Sequence, residues 1–492
     1  MSDVRPTAFL IAALAALTFL VGCGSSGPAT PAGAALAPAS SQLFLTLDTS
    51  FDSAQWDAAR DLLDQFPDGD RAVAFLLDQV SEQGIDFESD VAPALGPETD
   101  IVGLDLFADE GTFVGITQPD DAQKLEELLE KSDEPVVTRE IDGWTAFADN
   151  EAVLDRFEDE RVDGTLDRST DFTEALSEVD AEALARLYLN GDALQEGLEQ
   201  EVTLPPGALE ALVPGGEIPS FAFAVRAEDN GVRLQGAAKL AGDNGGLVTE
   251  PFAAELPKEV PAGAIVYLGF SDLESQLSAL REFLAQVQPE FDRDVARVEA
   301  ELGLSLEEDI FPLFAGEGAF YIRPGFLIPE VTLVTEVEDE GRAVETIDSL
   351  VGALGEYLPA GATPRTTEIA GVVAKELPLA PPVSLYYAAF DGRLVVTTSR
   401  DGIASLGQSG DRLADDPGFR DALAEADVPD ETTGFAYVDV AEAVENLLNL
   451  AEMSGAALPP ELRANLEPLQ HLVFYGAKDG RTLHFTGFLR VD

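Results

Sequence analysis

The chain has 492 residues, 46% of them hydrophobic, which is enough apolar material for more than one core and argues against wholesale disorder. Its 92 Asp and Glu against 29 Lys and Arg give a formal net charge of -63, a surface that repels nucleic acid and anionic lipid headgroups. The single cysteine, Cys23, excludes an intrachain disulfide and a thiolate-ligated metal in the body.

In chain order, Arg5 precedes an apolar run over 8–20, short for a bilayer span but right for the apolar stretch of an export signal. The run ends in Leu20-Val21-Gly22-Cys23, which resembles the lipobox of bacterial lipoproteins. The resemblance implies that residues 1–22 are a signal peptide cleaved before Cys23, whose sulfur carries the lipid. Residues 24–41, rich in Ala, Pro, Gly and Ser, read as a flexible tether. The expected location is the outer face of the cell membrane, with the lipid on Cys23 as the membrane contact.

The body predicts strands and helices in alternation. A strand over 42–48 is followed by helices over 53–66 and 71–83; in the second, Val73, Leu76, Leu77 and Val80 make one apolar face. Strands over 100–106 and 112–117 precede a helix over 119–129, with Pro119, Asp120 and Asp121 at its start. Asp142-Gly143, Asn230-Gly231, Asp391-Gly392 and Asp479-Gly480 mark hairpin turns. The closing hairpins pair 220–228 with 232–240 and 471–478 with 482–491.

Segments recur in order. Gly84-Ile85-Asp86-Phe87-Glu88-Ser89-Asp90-Val91-Ala92-Pro93 matches Gly303-Leu304-Ser305-Leu306-Glu307-Glu308-Asp309-Ile310-Phe311-Pro312. Thr138-Arg139-Glu140-Ile141-Asp142-Gly143 matches Thr366-Thr367-Glu368-Ile369-Ala370-Gly371, and Phe172 to Leu176 match Phe419 to Leu423. Pro38-Ala39 matches Pro261-Ala262, and Leu204-Pro205-Pro206 matches Leu458-Pro459-Pro460. These predict two homologous halves, 42–243 and 257–492, joined near 242–257, with an extra strand pair over 384–390 and 393–398 in the second. The expected fold is α+β: two tandem homologous domains, each a mostly antiparallel sheet with helices packed on one side.

Lipobox, tether, duplicated unit and the loop Gly84 to Pro93 together resemble an uncharacterised bacterial envelope family, domain of unknown function 3352. The resemblance implies an exported, lipid-tethered body and brings no catalytic residue with it.

Chemistry-bearing motifs are sparse. The two histidines, His471 and His484, share the last hairpin; a turn on Asp479-Gly480 would set His484 opposite Tyr475. They are expected to be ordinary strand residues, since zinc needs three or four ligands. Gly269-Phe270-Ser271-Asp272-Leu273 begins like a nucleophile elbow but lacks its second glycine, so Ser271 reads as a helix cap with Glu274. No phosphate-binding glycine loop and no calcium loop occurs. The candidate site is the repeated loop, with Glu88 and Asp90 matching Glu307 and Asp309, as a ligand or partner site present twice. The alternative reading makes these residues caps and turn formers. The expected function is a non-catalytic binding or interaction module without cofactor, its partner an envelope protein or an apolar ligand. A carboxylate-dependent hydrolase is the less favoured reading. An acidic, lysine-poor surface also predicts a melting temperature that rises from low to molar salt.

Overall fold

The computed structural model describes residues 30–69, 87–108, 112–131, 135–201, 217–240, 250–288, 290–325, 328–356, 358–359, 362–380, 382–453 and 459–492. The signal peptide, Cys23 and the helix predicted over 71–83 lie outside the described residues.

Among the described residues, eighteen strands form one sheet. The first half supplies β1 (Leu43–Asp48), β2 (Glu98–Asp105), β3 (Thr112–Thr117), β4 (Val137–Ile141), β5 (Trp144–Ala148), β6 (Ala185–Leu189), β7 (Phe221–Glu228) and β8 (Gly231–Lys239). The second supplies β9 (Val266–Ser271), β10 (Glu317–Arg323), β11 (Glu330–Glu336), β12 (Arg365–Ile369), β13 (Val372–Ala380), β14 (Val383–Phe390), β15 (Arg393–Thr397), β16 (Gly434–Asp439), β17 (Leu469–Asp479) and β18 (Thr482–Val491). The helices are α1 (Ala54–Leu63), α2 (Ala122–Glu130), α3 (Glu151–Glu160), α4 (Thr170–Ser177), α5 (Gly191–Glu201), α6 (Leu273–Val287), α7 (Phe291–Leu302), α8 (Glu340–Ala353), α9 (Arg400–Leu406), α10 (Pro417–Glu425), α11 (Val440–Met453) and α12 (Pro460–Leu466).

Every pairing is antiparallel. Across the first half the strands run β4-β5-β3-β2-β1-β6-β7-β8. Across the second they run β18-β17-β16-β9-β10-β11-β15-β14-β13-β12. β8 pairs with β18, so the halves share one sheet and are not two separate sheets. Aligning Asn230-Gly231 with Asp479-Gly480 makes Gly236 the counterpart of Phe485, and these two residues face each other across β8 and β18. The extra strand pair is β14 and β15. β15 takes the place beside β11 that β5 takes beside β3, and β12 and β13 are displaced outward. At Asp142-Gly143, φ values of 49° and 85° give the left-handed turn that matches strand twist.

The strand sequences alternate, and the two faces differ. On the first face Phe44 meets Phe172 of α4 edge-on at 5.5 Å, and Phe172 meets Tyr188 at 5.0 Å. The second half repeats this with Phe419 of α10 against Tyr437 at 5.1 Å, and Tyr267 stacks on Phe435 at 5.2 Å. All these rings are buried. The second face carries helices too: α1 through Trp56 and Leu62, α2 through Leu125 and Leu128 against Phe147, and α8 through Ala343 against Leu394. The architecture is antiparallel α+β as expected, but helices sit on both faces, because β5 alternates Ala146 into one core and Phe147 into another.

The expected tether is largely part of the fold. Ala32–Ala35 form a 3-10 turn, and Ala34, Leu36 and Ala37 are buried in the first-face core. Glu98 accepts the Gly33 N–H at 2.8 Å, and Leu166 N–H donates to Ala37 at 3.0 Å. The second half builds the same strap. Glu317 accepts the N–H of Glu255 at 3.0 Å and of Leu256 at 2.8 Å, and Leu413 N–H donates to Val260 at 2.9 Å. Bridges Pro38–Thr165 and Pro261–Arg412 close the two straps. Small residues that read as linker serve here as thin fillers between a turn and the sheet.

Candidate functional site

The repeated loop folds twice as a single π turn, Phe87–Val91 and Leu306–Ile310, running into a 3-10 turn. Asp309 accepts the Ser305 N–H at 2.8 Å and the Arg342 guanidinium at 3.2 Å. The Ser305 hydroxyl oxygen accepts the Glu308 N–H at 3.2 Å. The backbone bond from Ser305 holds the Asp309 carboxyl below the usual carboxylate range. Glu307 pairs with Arg281 of α6 at 2.6 Å. In the first half Asp90 pairs with Lys131 and, at 3.8 Å, with Lys124. Glu88 lies in the first π turn. Asp90 and Asp309 thus tie the loop to the helix that follows β3 or β11, which is the capping and fastening arrangement. Among the described residues no group of three His, Cys, Asp or Glu is placed to hold a metal ion.

The histidines are kept apart. β17 and β18 turn at Gly480-Arg481, one residue later than Asp479-Gly480, so His484 faces Ala477 and not Tyr475. His471 lies 3.1 Å from Glu425, and burial lowers its pKa; His484 lies 3.6 Å from Glu178. Ser271 is the last residue of β9, not a cap. Asp272 takes the cap position at φ 49° without accepting a helix backbone N–H, and its carboxylate accepts the Ser275 hydroxyl at 2.8 Å.

Two features stand out that the motifs did not announce. One is a polar cluster under the first strap. Asp100, Thr46 and Arg186 lie side by side on β2, β1 and β6. Asp100 is fully buried, and neither carboxyl oxygen finds a hydrogen-bond partner. Burial, and then the charge of Glu98, push its carboxyl well above the usual range. Burial lowers the Arg186 guanidinium, against the pull of Glu98 and Asp100. Thr46, Glu98 and Arg186 line a cleft of about 260 Å³ whose walls include Asp48, Trp144 and Glu182.

The other feature is the middle of the second face. From β7 through β8, β18, β17 and β16 to β9, second-face side chains such as Leu234, Phe485, Phe474 and Leu268 are left partly or well exposed, while Leu47, Ala227, Leu483 and Val491 toward the strand ends are buried. Leu234 is 42%, Leu268 40% and Phe474 44% exposed. Phe223, Phe485 and Phe270 are half-buried neighbours. Glycine on the adjoining strand lets the rings lie flat: a Cβ on Gly236 would come 2.8 Å from Phe223, one on Gly318 2.2 Å from Phe270, and one on Gly487 3.3 Å from Phe474. α6 leans on the turn Phe311–Phe314, and Phe314 is 6.5 Å from Phe270. Its Leu273, Leu277, Leu280, Phe283 and Leu284 follow helical spacing, yet none is buried. Of the apolar residues of α11, Leu447 and Leu450 are exposed. Phenylalanine opposite glycine is the signal that would have found this surface, but it is visible only once the register is known.

No helix among the described residues is long and apolar enough to cross a membrane. No curated protein matches the chain. Solved structures of TP0453 align at 8% identity. Crystal form III covers 50% of this chain and 83% of its own at a TM-score of 0.21, and crystal form I covers 45% and 82% at 0.22. Scores this low carry neither fold nor function across. The match that decides the family runs over residues 114–491, and by it the chain belongs to the family described as Protein of unknown function (DUF3352).

Proposed function

We propose that this is a non-catalytic binding module, anchored outside the cell membrane by a lipid on Cys23 and built from two copies of one unit. The observation that carries the binding reading is the open apolar middle of the second face, beside a first face where Phe44, Phe172, Tyr188, Tyr267, Phe419, Phe435 and Tyr437 are buried. Each large apolar side chain left in water forgoes about 1.5–3 kcal/mol of burial, and contiguous apolar patches on a folded surface mark interaction sites. Matching straps, matching loops and matching strand pairings support the duplication. The Leu20-Val21-Gly22-Cys23 motif supports the anchor.

Native mass spectrometry on the exported body, residues 24–492, purified from its own host in high salt, tests the reading. An added mass that organic solvent or chelator removes is the expected result. A bare protein mass across salt and calcium conditions, with no partner retained, would overturn it.

A further inference from the structure

Resting on that binding reading, we infer that the open strip of the second face takes the acyl chain of a net-neutral membrane lipid. Three observations converge on this occupant. The first is chemistry. The strip centres on Leu234, Phe485, Phe474 and Leu268, and the strands beneath it are paired on both sides, so their backbone groups are already bonded. A protein partner makes about one hydrogen bond per 100–200 Å² of interface. A surface of flat rings over glycines offers almost none, and an acyl chain asks for none.

The second is charge. A formal net charge of -63 sets a second copy of this chain, or an anionic lipid, against like charge. A neutral lipid meets no such barrier. The third is reach. The strap fixes the chain from Pro31 onward, so only residues 24–30 separate the lipid on Cys23 from the folded body. Seven residues fully extended span at most about 25 Å, which keeps the body close to the bilayer it would draw from. The longer tether expected from composition would have let it stand away.

The test uses the lipidated mature chain in molar salt with phosphatidylcholine vesicles carrying a pyrene-labelled phosphatidylcholine. The chain is expected to withdraw the probe, seen as loss of pyrene excimer emission. The triple variant Leu234→Asp, Leu268→Asp, Phe474→Asp changes only exposed positions and is expected to lose at least about tenfold in probe uptake, because charges now lie where chain methylenes would bury. Val162→Asp, at an 82% exposed position after α3, serves as the control and should match the parent. Circular dichroism and melting of each variant identify any that has failed to fold. Parent and triple variant behaving alike would overturn the inference. So would a dimer, seen by size exclusion, that the triple variant abolishes, since that makes a second copy the occupant. Uptake by the chain made without its lipid but not by the lipidated chain would also overturn it, in favour of the chain's own anchor. A non-lipid mass in the native spectrum sinks this inference and leaves the binding reading standing; a bare mass sinks both.

Discussion

Where the first half sets Asp100, Thr46 and Arg186 side by side across three strands, the second sets Ala319, Gly269 and Phe435 at the matching register. Two residues before Asp100 and Ala319, Glu98 and Glu317 hold the two straps in the same way. Backbone and strap are therefore indifferent to what fills the space beside them. The second half fills it with the stacked rings of Tyr267 and Phe435; the first leaves a buried ionisable cluster and a cleft. The framework does not require the cluster. Its desolvation is a local liability carried by one half alone.

The largest losses are expected at the two first-face cores. Phe172→Ala and Phe419→Ala each empty a fully enclosed edge-on site and should each cost about 3–5 kcal/mol in denaturant unfolding. A much smaller loss at one of them would show that the two cores are not equivalent. Next come the straps. Glu317 accepts from two backbone N–H groups and Glu98 from Gly33. Glu317→Gln should cost about 1.5–3 kcal/mol, as bonds to a charged acceptor do, and Glu98→Gln less, with faster amide exchange at Leu256 and at Gly33 as the respective local readouts.

Asp100 sharpens the contrast through pH. Its folded carboxyl titrates above its unfolded value because burial disfavours the charged form. The folded state then binds more protons, so stability falls as pH rises from the unfolded value through the raised folded one, by up to about 1.4 kcal/mol per unit. Asp100→Asn should remove that loss. Its melting temperature should exceed the parent's near pH 8 and converge on it near pH 4, about the unfolded Asp value. A difference between parent and Asp100→Asn that moves in the parent's favour from pH 4 to pH 8 would show that Asp100 is stabilised as an anion. The smallest effect is expected at Lys258, whose pair with Glu255 is exposed: Lys258→Ala should stay within about 0.5 kcal/mol.

Much of this architecture could be read in advance where the signal is local. Hairpin turns at Asp142-Gly143 and Asp391-Gly392 demand positive φ and obtain it. The recurrence of Pro38 at Pro261 and of Phe172 at Phe419 pointed to elements that do occupy matching places. The strap was illegible because Ala34 and Ala37 carry no periodic signal; their burial is decided by the rings above and below them. The shared sheet was illegible because nothing local tells β8 that its partner is β18. The candidate loop was found, but its carboxylates turned out to be engaged by Ser305, Arg342, Lys124 and Lys131. Asp100 lay unnoticed in Glu98-Thr99-Asp100, where acidic residues look like a strand's wet end. Only the strap makes that end dry.

The β8–β18 pairing also governs how such a chain can be made. β18 is the last strand, Thr482–Val491, and it seals the edge of a half whose own strands are complete far earlier. A chain crossing a membrane from its N-terminus would expose the open β8 ladder on the far side until the final ten residues arrived. A ribosome that stopped short of them would release a half-sheet with an adhesive rim. Truncation before Thr482 is therefore expected to leave the β8 edge unpaired.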